Sequence, residues 1–378
     1  MCKENKIPIV SFFTGGGFLD MGFEEAGFDV VFTNEFDKDF VTLYESGMKG
    51  WGKKRGSRKE YKITSSESVV SLSTEFIEKK AFPEGKPALW GIIGGPPCQD
   101  FSINGNQKGF GGTRGKMTVV FFNKIRKMKP AFFVMENVTG LLKCKEHQAR
   151  LDTIIKNHCK EEYYLARFVL NALEYGVPQF RERVFMVGLK KSLFQPPLLE
   201  NAFFDLQFEI HPPLFPDAVK KYKWPVQNEF GTTPGCPSDI PLELCVEHCL
   251  ITPADRKRKV ANIDDCFALK RNAEKRRLIP EGDTHRPSFK RLHRYRYSPT
   301  TCYGNNEVHL HPYENRRLNV REALRIQGVD DSYVLPAKPG LSKKFKMTGN
   351  GVPVPLAKVV AESLRGFMAK YSKANQKD

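Results

Sequence analysis

The first half of this sequence predicts an α/β fold built on an open sheet. Three observations carry that reading: short apolar runs recur at the length of buried strands, helical patterns lie between them, and glycines follow the first run. The first strand is read over residues 7–13, Ile-Pro-Ile-Val-Ser-Phe-Phe, ending in the glycine turn at 15–17. Residues 18–26 then have helical spacing, stopped by Gly27. A second strand at 29–33 runs into Asn34-Glu35-Phe36-Asp37, and further strands are read at 88–93, 131–135, 165–171 and 183–189. Helices are read at 118–129 and 148–161, and 53–62 is read as an exposed basic connection. In such a sheet, ligands collect at the carboxyl ends of the strands.

After Leu189 the rhythm stops. Residues 195–255 are rich in proline and carry no sustained period or internal repeat, which marks a different module. Helical patterning returns at 320–327 and 355–368, the latter read as packing back on the first half. The division expected is a catalytic, cofactor-binding domain at 1–192 and a smaller, irregular recognition domain at 193–310. A hinge at 311–342 and a C-terminal segment at 343–378 complete it.

The 378 residues are 40% hydrophobic and 27% charged, the profile of a globular chain. No apolar stretch approaches the ~20 residues needed to span a bilayer, and the N-terminus lacks the apolar run of a signal peptide, so a cytoplasmic protein is expected. Nine cysteines without regular spacing argue for reduced thiols rather than a disulfide framework. The formal charge of +17 is uneven: residues 256–296 hold fourteen Lys/Arg against five Asp/Glu, interleaved with aromatics, which suits a phosphate backbone as well as a solvated surface. Cys236, Cys245, His248, Cys249 and Cys266 lack the paired C-x-x-C of a zinc ribbon, and no metal is expected.

Several segments carry chemistry. Glycines after a first strand let the backbone approach a ligand, and an acidic residue about 20 positions on, here Glu35 after Gly15, suits ribose hydroxyls; a tight turn with a surface glutamate fits equally. Gly94-Gly95-Pro96-Pro97-Cys98-Gln99 follows a strand, and its two prolines hold a thiol at the strand's end ahead of a glycine-rich segment that suits a lid. Phe133-Val134-Met135-Glu136-Asn137 delivers a carboxylate to the same edge. Alternation places Gln179, Arg181 and Arg183 on one side of an extended segment, and for these three alone a charged edge strand is the simpler reading.

Taken in order, Phe-x-Gly-x-Gly, Asn-Glu-Phe-Asp, Gly-Pro-Pro-Cys-Gln, Glu-Asn-Val and Gln-x-Arg-x-Arg resemble the motif series of the DNA (cytosine-5)-methyltransferases of the prokaryotic restriction-modification type. Segments 317–328 and 348–353 resemble the family's last two motifs. The pattern departs at Ser11, where the family usually has Asp, and at Phe18, where it has Gly; its Asp-Ile pair has Lys62-Ile63 as nearest counterpart.

The resemblance implies a Rossmann-like methyltransferase sheet with S-adenosylmethionine as methyl donor. It implies Cys98 as nucleophile on carbon 6 of a flipped cytosine, Glu136 at ring nitrogen 3, Arg183 at the carbonyl oxygen and Arg181 ordering the catalytic strand. Phe13, Gly15 and Gly17 would surround the methionine portion of the cofactor, Glu35 the ribose and Phe36 one adenine face. Pro97, Asn350 and Val352 would complete that site. Asn104 would fill the space a flipped base leaves, while Arg114 and Thr300 meet the DNA backbone. Double-stranded DNA is the implied partner, with the protein monomeric and paired in function with a restriction endonuclease. A transfer-RNA methyltransferase on the same scaffold, a catalytically silent DNA-binding module and a nicotinamide-dependent dehydrogenase are the competing readings.

Overall fold

Alternating strands and helices do assemble into one sheet in the computed structural model, which describes residues 6–97, 115–269, 274–301, 303 and 309–374. The first half contributes β1 (Ile7–Phe12), α1 (Phe18–Glu25), β2 (Phe28–Asn34), α2 (Lys38–Lys54), α3 (Thr74–Ala81), β3 (Gly91–Gly94), α4 (Gly115–Met128), β4 (Phe132–Val138), α5 (Gly140–Lys143), α6 (Lys145–His158), β5 (Tyr163–Asn171) and β6 (Glu182–Lys190). The second half has α7 (Ala218–Lys221), α8 (Pro253–Lys257), β7 (Lys290–Arg291), β8 (His309–Leu310), α9 (Val320–Ile326), α10 (Leu341–Asn350) and α11 (Val354–Tyr371).

Six strands form the sheet in the order β2-β1-β3-β4-β6-β5. The first four run parallel, and β6 is antiparallel to both β4 and β5. Chain length explains the reversal: the link from β5 to β6 holds one 3-10 turn, Ala172–Tyr175, far short of a crossover helix. Alternation sends Ile9, Phe132 and Val134 to the face covered by α1 and α11, and Val10, Phe133 and Met135 to the face covered by α3, α4 and α6.

Helix α2 is the largest departure from the sequence reading. Its interior glycines each cost ~1 kcal/mol relative to alanine, so local propensity argued against a helix. Packing reverses that: a Cβ on Gly47 would stand 2.1 Å from the Tyr333 ring and one on Gly52 2.3 Å from Tyr61. Those contacts belong to a third core in which Phe40, Leu43, Tyr44 and Trp51 of α2 meet Phe18, Tyr333 and the α9 residues Val320, Ala323 and Leu324. The other side of the α9 region joins a fourth core, with Leu318 and Ile326 against Val246, Cys249 and Leu292. The hinge segment is thus a shared packing element between the two halves.

The loss of pattern at Leu189 is not the end of packing on the sheet. Phe194 and Leu206 are buried in the same core as α1 and α11, and Phe208 stacks on Phe168 of β5 at 5.6 Å.

Candidate active site

Strands β3 and β4 run parallel and end side by side, with Gly94 in register with Met135. The next residue of β4 is Glu136, and a Cβ on Gly95 would lie 2.9 Å from its Oε2. Glycine at 95 therefore lets the carboxylate sit directly against the Gly-Pro-Pro segment that leads to Cys98. Asn137 supports the same segment by donating to the Pro96 carbonyl at 3.3 Å.

β6 brings the second charged group. Because it runs antiparallel to β4, its first residues lie at the strand ends where Glu136 emerges, with Val138 opposite Arg183. Arg183 Nε reaches Glu136 Oε1 at 3.0 Å, and both residues are 8% exposed. Burial raises the Glu136 pKa above the usual carboxylate range, with Arg183 and Arg181 opposing the shift. An acid in this state holds its proton longer and is suited to donate it.

The edge-strand reading of 179–183 is overturned. β6 lies inside the sheet, and Gln179 and Arg181 are fully buried. Arg181 donates to the carbonyls of Thr301, Gly349 and Gly351, so it ties the 301 and 349–351 segments to the entry of β6.

The glycine turn forms a second pole of the site. Phe13, Gly15 and Gly17 all have positive φ, at 56°, 58° and 78°. The two glycines serve different ends: a Cβ on Gly15 would meet nothing nearer than Phe13 O at 4.0 Å, whereas one on Gly17 would strike Tyr44 at 2.6 Å. Gly15 keeps a backbone face clear, and Gly17 lets α1 and α2 close. Glu35 accepts from Gly15 N and Asp37 N, both at 2.8 Å, and burial raises its pKa. Phe36 presents its ring to solvent, 69% exposed. Asn350 is exposed at the end of α10, while the Val352 side chain is buried in the α1–α11 core. Between them the backbone at Gly351 comes close to the turn, since a Cβ there would lie 2.2 Å from the Phe18 ring.

The Ser11 departure also has a structural account. Ser11 Oγ donates to Asp20 Oδ1 at 2.7 Å, so a carboxyl group reaches the first strand from α1 instead of from the strand itself. Asp20 is fully buried, and burial raises its pKa to about 7. Sequence reasoning missed this residue because nothing in a helix pattern marks an inward-facing aspartate.

These features fit a nucleoside-containing cofactor: a clear backbone face at Gly15, a carboxylate at Glu35 and an exposed ring at Phe36 on one strand edge. Cys98, Asn104 and Arg114 lie outside the described residues.

In the second half, the basic run is divided. Arg291 is fully buried and donates to the carbonyls of Ile279, His311 and Arg276, while Arg294 forks onto Glu281. Reading 256–296 as one phosphate-binding surface therefore fails at these two arginines, whose charge is consumed in folding. Arg256, Lys257, Lys259, Lys275 and Arg277 remain exposed. Thr300 Oγ1 donates to the Phe180 carbonyl at 2.8 Å, placing it against the segment that enters β6. The Cys245 and Cys249 thiols are buried and pushed up to about 12, the behaviour of core residues. No group of three or more His, Cys, Asp or Glu side chains arranged for a metal occurs among the described residues, and none of their helices is long and apolar enough to cross a membrane.

Residues 7–366 match the family described as C-5 cytosine-specific DNA methylase. The Type II methyltransferase M.NmeDI of Neisseria meningitidis serogroup C is 36% identical over 379 residues, covering 100% of this chain and 87% of the relative. M.FnuDI of Fusobacterium nucleatum is 29% identical, covering 97% and 96%. Among solved structures, a protein described as a DNA modification methyltransferase encoded within an E. coli prophage superposes with a TM-score of 0.65 at 21% identity, covering 96% of this chain and 100% of that one.

Proposed function

This chain belongs to the C-5 cytosine-specific DNA methylase family, and from that premise we propose that Cys98, Glu136 and Arg183 together methylate a cytosine extruded from a specific duplex sequence. Membership makes it an S-adenosylmethionine-dependent DNA (cytosine-5)-methyltransferase. The observation that carries the residue-level reading is the buried Glu136–Arg183 pair set against the segment that ends in Cys98.

Carbon 5 of cytosine is a weak nucleophile until the ring is activated. The Cys98 thiolate forms a bond to carbon 6, and the displaced electrons move through the ring towards nitrogen 3. Glu136 donates a proton to that nitrogen, a role that the upward shift of its pKa by burial supports, while Arg183 donates to the carbonyl oxygen as charge grows there. Gly15, Glu35, Phe36 and the backbone at 350–352 would hold S-adenosylmethionine, which would supply carbon 5 with an electrophilic methyl group and leave as S-adenosylhomocysteine. Loss of the carbon-5 proton then expels the Cys98 thiolate, and nitrogen 3 returns its proton to Glu136, which restores the neutral ring. None of these groups reaches a stacked base, so the target is flipped out. Phe13, Gly17 and Pro97 shape the cofactor side, and Asn104, Arg114 and Thr300 serve the DNA side.

The second half, from the end of the sheet packing to α9, selects which cytosine is offered. The exposed lysines and arginines of α8 and of 274–278 support that assignment. The protein acts as a monomer and is partnered in function by a restriction endonuclease, a pairing that the name Type II methyltransferase of its relatives supports. Cys98→Ser tests the chemical core. It is expected to abolish methylation, read by bisulfite sequencing, while duplex and cofactor binding persist. In the wild type, 5-fluorocytosine at the target should trap a covalent adduct. Methylation by the serine variant, or no adduct in the wild type, would overturn the nucleophile assignment.

A further inference from the structure

Three buried side chains from three segments close a ring of hydrogen bonds behind the catalytic strand. Gln179 Nε2 donates to Gln327 Oε1 at 3.2 Å, Gln327 Nε2 donates to Thr301 Oγ1 at 3.1 Å, and Thr301 Oγ1 donates to Gln179 Oε1 at 3.1 Å. All three residues are fully buried. Each remaining proton also has an acceptor: Gln179 Nε2 donates to Ile326 O at 3.2 Å, and Gln327 Nε2 to Thr348 O at 2.7 Å. The Thr301 amide donates to Gln179 Oε1 at 3.1 Å. A head-to-tail ring of this kind polarises its members cooperatively, and each position needs a group that both donates and accepts.

The ring joins the parts that must act together. Gln179 stands four residues before Arg183, and Phe180 receives the Thr300 hydroxyl on its carbonyl. Residue 179 also bridges residue 298 in parallel register, fastening the end of the recognition half to the entry of β6. Gln327 caps α9, the helix shared by the two cores, and Thr348 precedes the Gly349 carbonyl that Arg181 holds.

Resting on the function proposed above, we infer that the Gln179–Thr301–Gln327 ring is the joint that registers the recognition half against the Glu136–Arg183 pair. Thr301 and Gln327 are thereby positioning residues for methyl transfer. They touch neither the reacting atoms nor the exposed basic surface. Their effect is on the alignment of a bound duplex with the active site, where a displacement of ~1 Å costs up to ~100-fold in rate.

The test compares Thr301→Val, which keeps shape and removes the hydroxyl, with Thr301→Ser, which keeps the hydroxyl. Thr301→Val is expected to lower the single-turnover methylation rate about tenfold at saturating duplex and S-adenosylmethionine, with affinity for both changed less than about threefold. Thr301→Ser should restore the rate. An unchanged rate in Thr301→Val, a decrease matched by weaker affinity, or failure of serine to rescue would overturn the joint. Backbone hydrogen exchange across 178–183 and 298–301 reads the joint without catalysis. Protection should fall in the valine variant and persist in the serine variant, and unchanged protection in valine would overturn the proposal. A wild type that methylates no DNA would instead refute the proposed function, and the exchange measurement would still judge the joint.

Discussion

Glu136 meets Arg183 through one ion pair, Nε to Oε1 at 3.0 Å, whereas Glu281 in the recognition half receives the backbone N, Nε and Nη2 of Arg294 at 2.8, 2.9 and 2.8 Å. Both pairs are buried and chemically alike. The difference lies in saturation. Glu281 spends its lone pairs holding a loop together, and Arg294 adds the Thr232 carbonyl at 3.0 Å. Among the described residues Glu136 accepts from Arg183 alone, in a setting that raises its pKa. A saturated pair stabilises structure, and an unsaturated one is available for chemistry.

The largest effect that would break this contrast belongs to Glu136. Glu136→Ala should lower single-turnover methylation, measured per folded molecule, by roughly 10²–10⁴-fold, the range for removal of a positioned acid. Its pH dependence sharpens the point. A raised pKa keeps the proton to higher pH, so the wild-type rate should decline as pH rises through that value, while Glu136→Gln lacks this limb. Equal pH profiles for the two proteins would remove proton donation from the role of Glu136.

Next comes the saturated pair. Arg294→Ala leaves Glu281 buried without its fork and should cost about 3–5 kcal/mol of stability, measured by urea unfolding. Per folded molecule, at saturating duplex, its methylation rate should match the wild type. A stable Arg294→Ala protein with defective chemistry would reverse the assignment of the two pairs.

The smallest effect tests the charge that folding leaves unused. Lys275→Ala and Arg277→Ala should weaken duplex binding for all sequences alike. Each should flatten the salt dependence by about 0.9 in log–log slope for every phosphate that is no longer neutralised. Arg277 has an exposed partner in Glu274 at 2.9 Å, and such a pair contributes little to stability. An unchanged slope in both variants would assign phosphate binding to other residues.

Local sequence determined much of the catalytic half. β1, β2, β4, β5 and β6 are short apolar runs whose ends were readable to within a few residues; Glu136 and the glycine turn were legible because each stands at the end of such a run, whereas Arg183 was legible only through the resemblance of its motif. Other features there escaped, the buried Asp20 among them. Helix α2 was hidden by glycines that only the ring of Tyr333 and the side chain of Tyr61 justify, and the reversal of β6 depends on a connection too short for a helix. In the recognition half, chain order says little, because proline-rich loops fold through contacts between residues far apart. The fourteen basic residues between 256 and 296 look equivalent in the sequence. Tertiary structure alone buries Arg291 and Arg294, exposes Lys275 and Arg277, and brings residues 179, 301 and 327 into one ring. Strand and helix periods are local properties that a sequence displays directly. Burial of a charge and closure of a hydrogen-bond ring depend on partners that stand apart along the chain, and only folding brings those partners together.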